Sequence, residues 1–310
     1  MSINITKRED PIKLAYIISL IYGEPGSGKT SLGFSTYLAL LLDFDRGAHR
    51  SAFRGDTVQV ESWDQVANLQ ASDFKGYKTV VVDTVGRQLD LITADLAASD
   101  PKLTRRTGEL SLQGYGALKA VFTAWIHRLQ TFGLDIVLLS HAREDKRAGD
   151  EVVQRPDIQG GSYAEVLKVT DMVGFLYRSQ GGPMLDFSPT DTHIGKNAPG
   201  FEPLVVADLH QDPTFLGNII KDAKNIINTR NNASQEVADK VAEVRELVEA
   251  SQSADEVNDL VLNHITNGSN GKSEAAQIGK LVKQHAKDIG LVYDKKAGGF
   301  IQPEQSDAAA

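Results

Sequence analysis

From residue 15 to about 205, apolar runs recur with almost no polar alternation: 15-AYIISLI-21, 38-LALLLDF-44, 57-TVQVES-62, 78-KTVVVD-83, 135-DIVLLS-140 and 172-MVGFLY-177. Runs such as VVV and IVLL suit strands covered on both faces, so they predict a parallel sheet. Two β-rich pieces, 184-MLDFSP-189 and 192-THIGKN-197, predict a hairpin after that sheet. Between strands the period becomes helical. Leu118, Val121, Phe122, Trp125, Ile126 and Leu129 share one face of a helix within 113–133, which Gly133 ends. Ser62-Trp63-Asp64-Gln65 reads as a capping box opening a short helix. Strand–helix alternation of this kind predicts an α/β fold, a mostly parallel twisted sheet with helices on both faces.

Beyond about residue 206 the pattern is that of amphipathic helices. Asp212-Pro213 predicts an N-cap and first-turn proline ahead of Phe215, Leu216, Ile219, Ile220, Ala223, Ile226 and Ile227. Ser234 is expected to open a second helix bearing Val237, Val241, Val244 and Val248, and Ser253-Ala-Asp-Glu256 is a capping box before Val257, Leu260, Val261 and Ile265. The polar break 267-NGSNGKS-273 precedes a last helix with Ile278, Leu281, Val282 and Ile289, closed by Gly290. These signals predict a core at 1–205, a small helical region at 206–300 and a disordered tail at 301–310.

Composition narrows the functions. The chain carries 33 basic and 41 acidic residues, a net charge of −8, so nucleic-acid contact needs a local basic patch. The region after 205 is itself acidic, with 11 basic against 16 acidic residues, and is no obvious DNA clamp. Without cysteine there is no disulfide, thiol nucleophile or cysteine zinc site. The opening MSINITKREDPIK lacks the apolar core of a secretory leader, and no apolar run is long enough for a bilayer, so a soluble cytoplasmic protein with no membrane partner is expected.

The chemistry begins directly after the first strand. Gly23-Glu24-Pro25-Gly26-Ser27-Gly28-Lys29-Thr30 matches G-x-x-x-x-G-K-[ST] in full, and Ser31 follows. Glycines let backbone N–H groups curl around a β-phosphate, and the helix N-terminus adds its dipole. Lys29 reaches the β- and γ-oxygens in this motif, and the Thr30 hydroxyl is a Mg²⁺ ligand. Asp83, at the end of VVVD and followed by Thr84, is the expected second acid of the magnesium shell. Asp43-Phe44-Asp45 ends another strand at the edge where open α/β sheets bind ligands. One of these carboxylates orients the attacking water, or both belong to a solvated turn. His141, at the next strand tip, either senses the γ-phosphate or is a capped structural histidine.

Taken in order, GEPGSGKT, LLDFDRG, VVVDT, the YGALKAVFTAWI helix, VLLSHARED and GKN resemble the RecA-like ATPases. More narrowly they resemble the phage nucleotide-binding proteins of the single-strand annealing group, the Sak family, over about two-thirds of the chain. The resemblance implies a RecA-like P-loop NTPase core that binds ATP and Mg²⁺, self-associates through the ATP site and acts on single-stranded DNA in phage recombination, in the host cytoplasm. It favours Asp45 over Asp43 as the water-activating group, although an aspartate stands where RecA proteins carry glutamate. It places His141 at the polar switch position. Lys196-Asn197 resembles Lys-Asn-Lys, whose lysines reach a neighbour's γ-phosphate, but position 198 is alanine; Lys196 as a trans-acting group stands against an ordinary exposed lysine.

Two segments correspond in position to the DNA-binding loops of that family: 99–113, with Lys102, Arg105 and Arg106, and 142–161, with Arg143, Lys146, Arg147 and Arg155. Their cations suit phosphates and their contacts would be salt-sensitive, whereas interleaved acids suit plain solvated loops. Neither segment carries a recognised stacking platform, so backbone contact is expected rather than base stacking. The C-terminal helices are expected to meet a single-strand-binding or annealing protein. Rival readings are a GTPase switch, since Asp83-Thr-Val-Gly86 fits D-x-x-G, a nucleotide-dependent scaffold or helicase-loader-like protein without turnover, and a small-molecule kinase. The first lacks an N-K-x-D motif and the last an arginine-rich lid.

Overall fold

Successive side chains of a strand point to opposite faces, so an unbroken apolar run needs cover on both. The computed structural model, which describes residues 13–146, 152–266 and 272–303, supplies it. The strands and helices of the first unit are β1 (Ile18–Gly23), α1 (Lys29–Phe34), β2 (Ala39–Asp43), β3 (Asp56–Gln59), α2 (Asp64–Ala67), β4 (Thr79–Asp83), α3 (Val85–Ser99), α4 (Leu112–Gln130), β5 (Asp135–Lys146), β6 (Val152–Pro156), α5 (Gly160–Val169), β7 (Met172–Ser179), β8 (Gly182–Asp186), β9 (Lys196–Asn197) and β10 (Leu204–Val205). Then come α6 (Phe215–Ala250), α7 (Ala254–Val261), α8 (Lys272–Asp288), β11 (Val292–Asp294) and β12 (Gly299–Ile301).

The large sheet has the order β10-β8-β7-β1-β5-β4-β2-β3, parallel from β7 to β3. Ile18, Leu20, Leu42, Val80, Val82, Ile136 and Leu138 face α3 and α4, where Leu89, Ile92, Phe122, Trp125 and Leu129 are buried. Ile21, Leu41, Val81, Val137 and Leu139 face α1 and the first turns of α6, with Leu32, Leu216, Ile220 and Ala223. This is the α/β, RecA-like P-loop arrangement the sequence predicts, with the strand bearing the phosphate loop and the strand ending in Asp83 separated by β5.

Several expectations change. The pieces at 184–189 and 192–197 do not pair as a hairpin; β8 and β9 each run antiparallel to β7, whose own turn into β8 makes the hairpin. Ser62 is not the cap of α2: Gln65 Oε1 accepts from the Glu61 amide at 2.8 Å, and Trp63 occupies the N-cap position. Segment 142–161 is no simple loop, because β5 continues to Lys146 and pairs antiparallel with β6. The compact unit runs Leu14–Ile227, since the apolar face of early α6 packs on the sheet. No helix opens at Ser234; α6 continues through it, the stretch holding neither glycine nor proline.

In the second unit, Val241, Val244, Val248, Val257, Ile278, Val282, Leu291 and Phe300 form a separate core. The Ser253 capping box is formed, with Glu256 N–H donating to the Ser253 hydroxyl at 3.2 Å and Ser253 N–H to Glu256 Oε2 at 3.1 Å. Gly290, at φ 82°, follows α8. Ile301 closes β12, whereas 304–310 and 267–271 lie outside the described residues. No helix among the described residues is long and apolar enough to cross a membrane.

Candidate functional site

The site grows from strand tips placed in register. Gly23 of β1 lies beside His141 of β5 on one side and Leu176 of β7 on the other. A Cβ at Gly23 would overlap the Leu176 carbonyl oxygen, so β7 itself demands glycine there. Gly26 and Gly28 adopt φ of 76° and 96°, the left-handed region glycine favours, and turn the chain into α1. Lys29 is buried, its ammonium donating to the carbonyls of Gly23 and Glu24 at 2.9 and 2.8 Å. Burial pulls its pKa down to about 8, opposed by the charges of Asp83, Asp45 and Glu24.

Thr30 Oγ1 donates to Asp83 Oδ2 at 2.7 Å. Burial pushes the Asp83 carboxyl up to about 6; Thr30 pulls the other way, and the charges of Asp43 and Asp45 add to the rise. A hydroxyl and a carboxylate in contact are hard oxygen donors, and magnesium takes only one or two such protein groups beside waters and phosphates. These two residues therefore fit Mg²⁺.

The two carboxylates at the tip of β2 have different work. Asp43 is fully buried and accepts from the amides of Gly47 and Ala48 at 2.9 and 3.0 Å, which makes it a fastening of the turn. Asp45 is partly exposed and faces a cavity of about 470 Å³ lined also by Pro25, Gly26, Gly28, Lys29, Thr30, Ser31, Arg50, Asp83 and His141. Ser31 is hydrogen-bonded to Ser51 at 2.7 Å. Burial and the Lys29 charge hold His141 below its ordinary pKa, and its Nδ1 is buried without a partner among the described residues. His141 and Asp45 also line a second cavity of about 280 Å³, with Thr84, Gly86, Arg87, Asp90, Asp157 and Gln159.

Other predicted residues lie elsewhere. Lys196 is opposite Val173, which pairs with Leu20, three residues short of Gly23. Its ammonium donates to the carbonyls of Leu167 and Thr170 at the end of α5, so within one chain it caps that helix. Lys102, Arg105 and Arg106 are exposed on and beside a small hairpin closed by the Thr104–Leu110 bridge. Arg143 and Arg155 both pair with Asp145, and Arg155 also stacks on Tyr163, so neither is a free cation; Lys146 is exposed and Arg147 lies outside the described residues. Tyr115 of α4, exposed and close to Gly160, is an aromatic the sequence reading missed because it lies beyond the hairpin in the chain. Arg50 and Arg87 were missed too; their significance lies in pairing with Asp45, which their places in the chain do not reveal. Gly86 sits in the first turn of α3, behind Thr84, whose hydroxyl accepts from Arg87 N–H at 3.5 Å. It belongs to a helix in this structure.

A KaiC-like protein of the hyperthermophilic archaeon Pyrococcus horikoshii OT3 is similar over 55% of this chain and 76% of its own, at 12% identity and a TM-score of 0.31, too slight a likeness to carry an argument. No curated protein matches the chain in sequence. A family model described as an AAA domain, AAA_24, matches residues 15–198, from the first strand through Lys196. With its phosphate loop intact on a RecA-like sheet, the chain belongs to the AAA_24 family of AAA-domain, P-loop NTPases.

Proposed function

We propose that the protein binds Mg²⁺-ATP in the 470 Å³ cavity and hydrolyses it, with Asp45 orienting the attacking water. The carrying observation is that Lys29, the Thr30–Asp83 pair and Asp45 converge on one cavity at the tips of parallel strands. Lys29 supplies the cation for the β- and γ-oxygens, and the loop amides supply donors. Magnesium, when bound, neutralises charge on those oxygens.

The finer reading is that the bound nucleotide controls contact with single-stranded DNA in phage-type recombination. A chain of neighbours supports it. His141, Asp157 and Gln159 line the second cavity, Gly160 follows, where an added Cβ would stand 3.9 Å from the Tyr115 ring, and the hairpin bearing Arg105 and Arg106 leads into the same helix. Exposed arginines suit phosphates, and Tyr115 offers a base a stacking face. Self-association through the site is the weaker limb, because Lys196 is committed to α5.

Turnover of ATP with and without single-stranded DNA, across a salt series, tests both parts. Stimulation that fades with salt is expected. Tight nucleotide binding with no turnover, with or without DNA, would favour the scaffold reading. Turnover that ignores DNA, with no DNA binding at any salt, would remove the recombination role.

A further inference from the structure

Asp45 is held from two sides. Arg87 Nε lies 3.3 Å from Oδ1 and Arg50 Nη2 lies 3.6 Å from Oδ2, so each carboxylate oxygen has a guanidinium. A water to be deprotonated needs one of those oxygens. The two arginines differ in what else they touch. Arg87 also pairs with Asp90 at 3.2 Å and lines the second cavity. Arg50 lines the phosphate cavity with Lys29, Thr30 and Asp83, and its side chain is 65% exposed.

Its stem, in contrast, is fixed. Arg50 ends the single helical turn Ala48–Arg50, which buried Asp43 ties down through the Gly47 and Ala48 amides. Next to it, Ser51 is bonded to Ser31 of α1 and donates to the Phe53 carbonyl at 2.6 Å. A firmly seated stem thus carries a loosely paired cation, and exposed ion pairs of this length are weak.

We propose that Arg50 reads the γ-phosphate: its guanidinium rests on Asp45 Oδ2 and transfers to the γ-phosphate of a bound triphosphate, which frees Oδ2 for water. The inference rests on the ATPase reading above. The water oxygen then bonds to the γ-phosphorus as the bond to the β–γ bridging oxygen breaks. The water's proton passes to Asp45, and ADP and inorganic phosphate are the products. A diphosphate presents no γ-oxygens, so Arg50 stays on Asp45 and the acid stays engaged. Gly47 permits the resting pose, because a Cβ there would stand 2.7 Å from Arg50 Nη2. Its φ of −105° and ψ of −8° suit alanine, so Gly47→Ala displaces the guanidinium from Asp45 while keeping both charges.

The experiment compares equilibrium binding of Mg²⁺-ATP and Mg²⁺-ADP, and single-turnover hydrolysis, in the wild type, Arg50→Ala, Arg50→Lys and Gly47→Ala. Arg50→Ala is expected to weaken ATP roughly tenfold while ADP is held as before, and to slow hydrolysis on the order of 10²-fold. Arg50→Lys regains part of the ATP affinity and little of the rate, since a point charge lacks the fork. Gly47→Ala keeps the ATP-over-ADP preference. An Arg50→Ala protein with the wild-type ATP-to-ADP ratio, or the wild-type rate, overturns the inference and leaves the ATPase reading standing. Wild-type protein that binds neither nucleotide overturns both.

Discussion

The two edges of the parallel sheet use the same residue types to opposite effect. At the edge opposite the phosphate loop, Asp135 accepts from the Ile17 amide at 2.9 Å and from Lys224 at 2.8 and 3.0 Å. Asp171 accepts from the Ile18 amide at 2.8 Å, and Lys196 caps α5. Every one of these charges is answered by the chain. At the loop edge Lys29, Asp83, Asp45 and His141 share a cavity wall, and burial moves Lys29 and Asp83 against their charged forms. Charges answered within the chain hold the fold, whereas buried charges facing a cavity leave part of their energy for a ligand to supply.

The comparison breaks most sharply at Lys29. Lys29→Ala is expected to lower ATP turnover on the order of 10³-fold, read in a steady-state phosphate-release assay; near-normal rates would end the ATPase reading. Next come the two aspartates of one turn. Asp45→Asn should cut kcat on the order of 10²-fold with ATP affinity retained, while Asp43→Asn should cost about 1–2 kcal/mol of stability in urea melts through its lost amide bond. Equal kinetic damage from both would erase the distinction between fastening and chemistry.

On the opposite edge Asp135→Ala should destabilise by about 2–3 kcal/mol, by stranding Lys224 and the Ile17 amide, and leave nucleotide affinity alone. The pH dependence sharpens the contrast further. A folded Asp83 with its pKa raised to about 6, from 3.8, holds its proton to higher pH than the unfolded chain does. Stability without nucleotide should therefore fall as pH rises from about 4 to 6 and stay lower above, by about 3 kcal/mol. Asp83→Asn should flatten that slope in pH-resolved urea melts. The smallest effect is at Lys196, where Lys196→Ala should cost about 0.5–1 kcal/mol and leave turnover unchanged at every protein concentration. A concentration-dependent loss of turnover would return Lys196 to a neighbour's site.

Much of the loop edge was legible because chemistry sits where apolar runs stop. Gly23, Asp43, Asp83 and His141 each end or follow such a run, and parallel pairing brings those ends level. What escaped depends on contacts distant in the chain or on geometry with no period. The β5–β6 ribbon is half exposed, so its residues show no apolar alternation to mark it as strand. The cap signal at Ser234 predicts two helices where α6 is one, because a capping residue ends nothing unless the preceding turn is already broken. The resemblance already favours Asp45 over Asp43; what no motif records is that Asp43 is buried and spent on two amide bonds. Arg50 gains its place from folding back onto Asp45 across Gly47, a contact that sequence spacing does not encode.

The Asp83 carbonyl accepts from both the Phe44 and Asp45 amides, at 2.7 and 3.1 Å, while its side chain meets Thr30. One residue is thus a jig for two tools: its carboxylate meets the Thr30 hydroxyl, and its main chain sets how far away the Asp45 carboxylate begins. That spacing belongs to backbone geometry, fixed by the two amide bonds to one carbonyl. A designer wishing to alter the chemistry can exchange Asp45 for a longer acid and change reach alone, with the mount left in place.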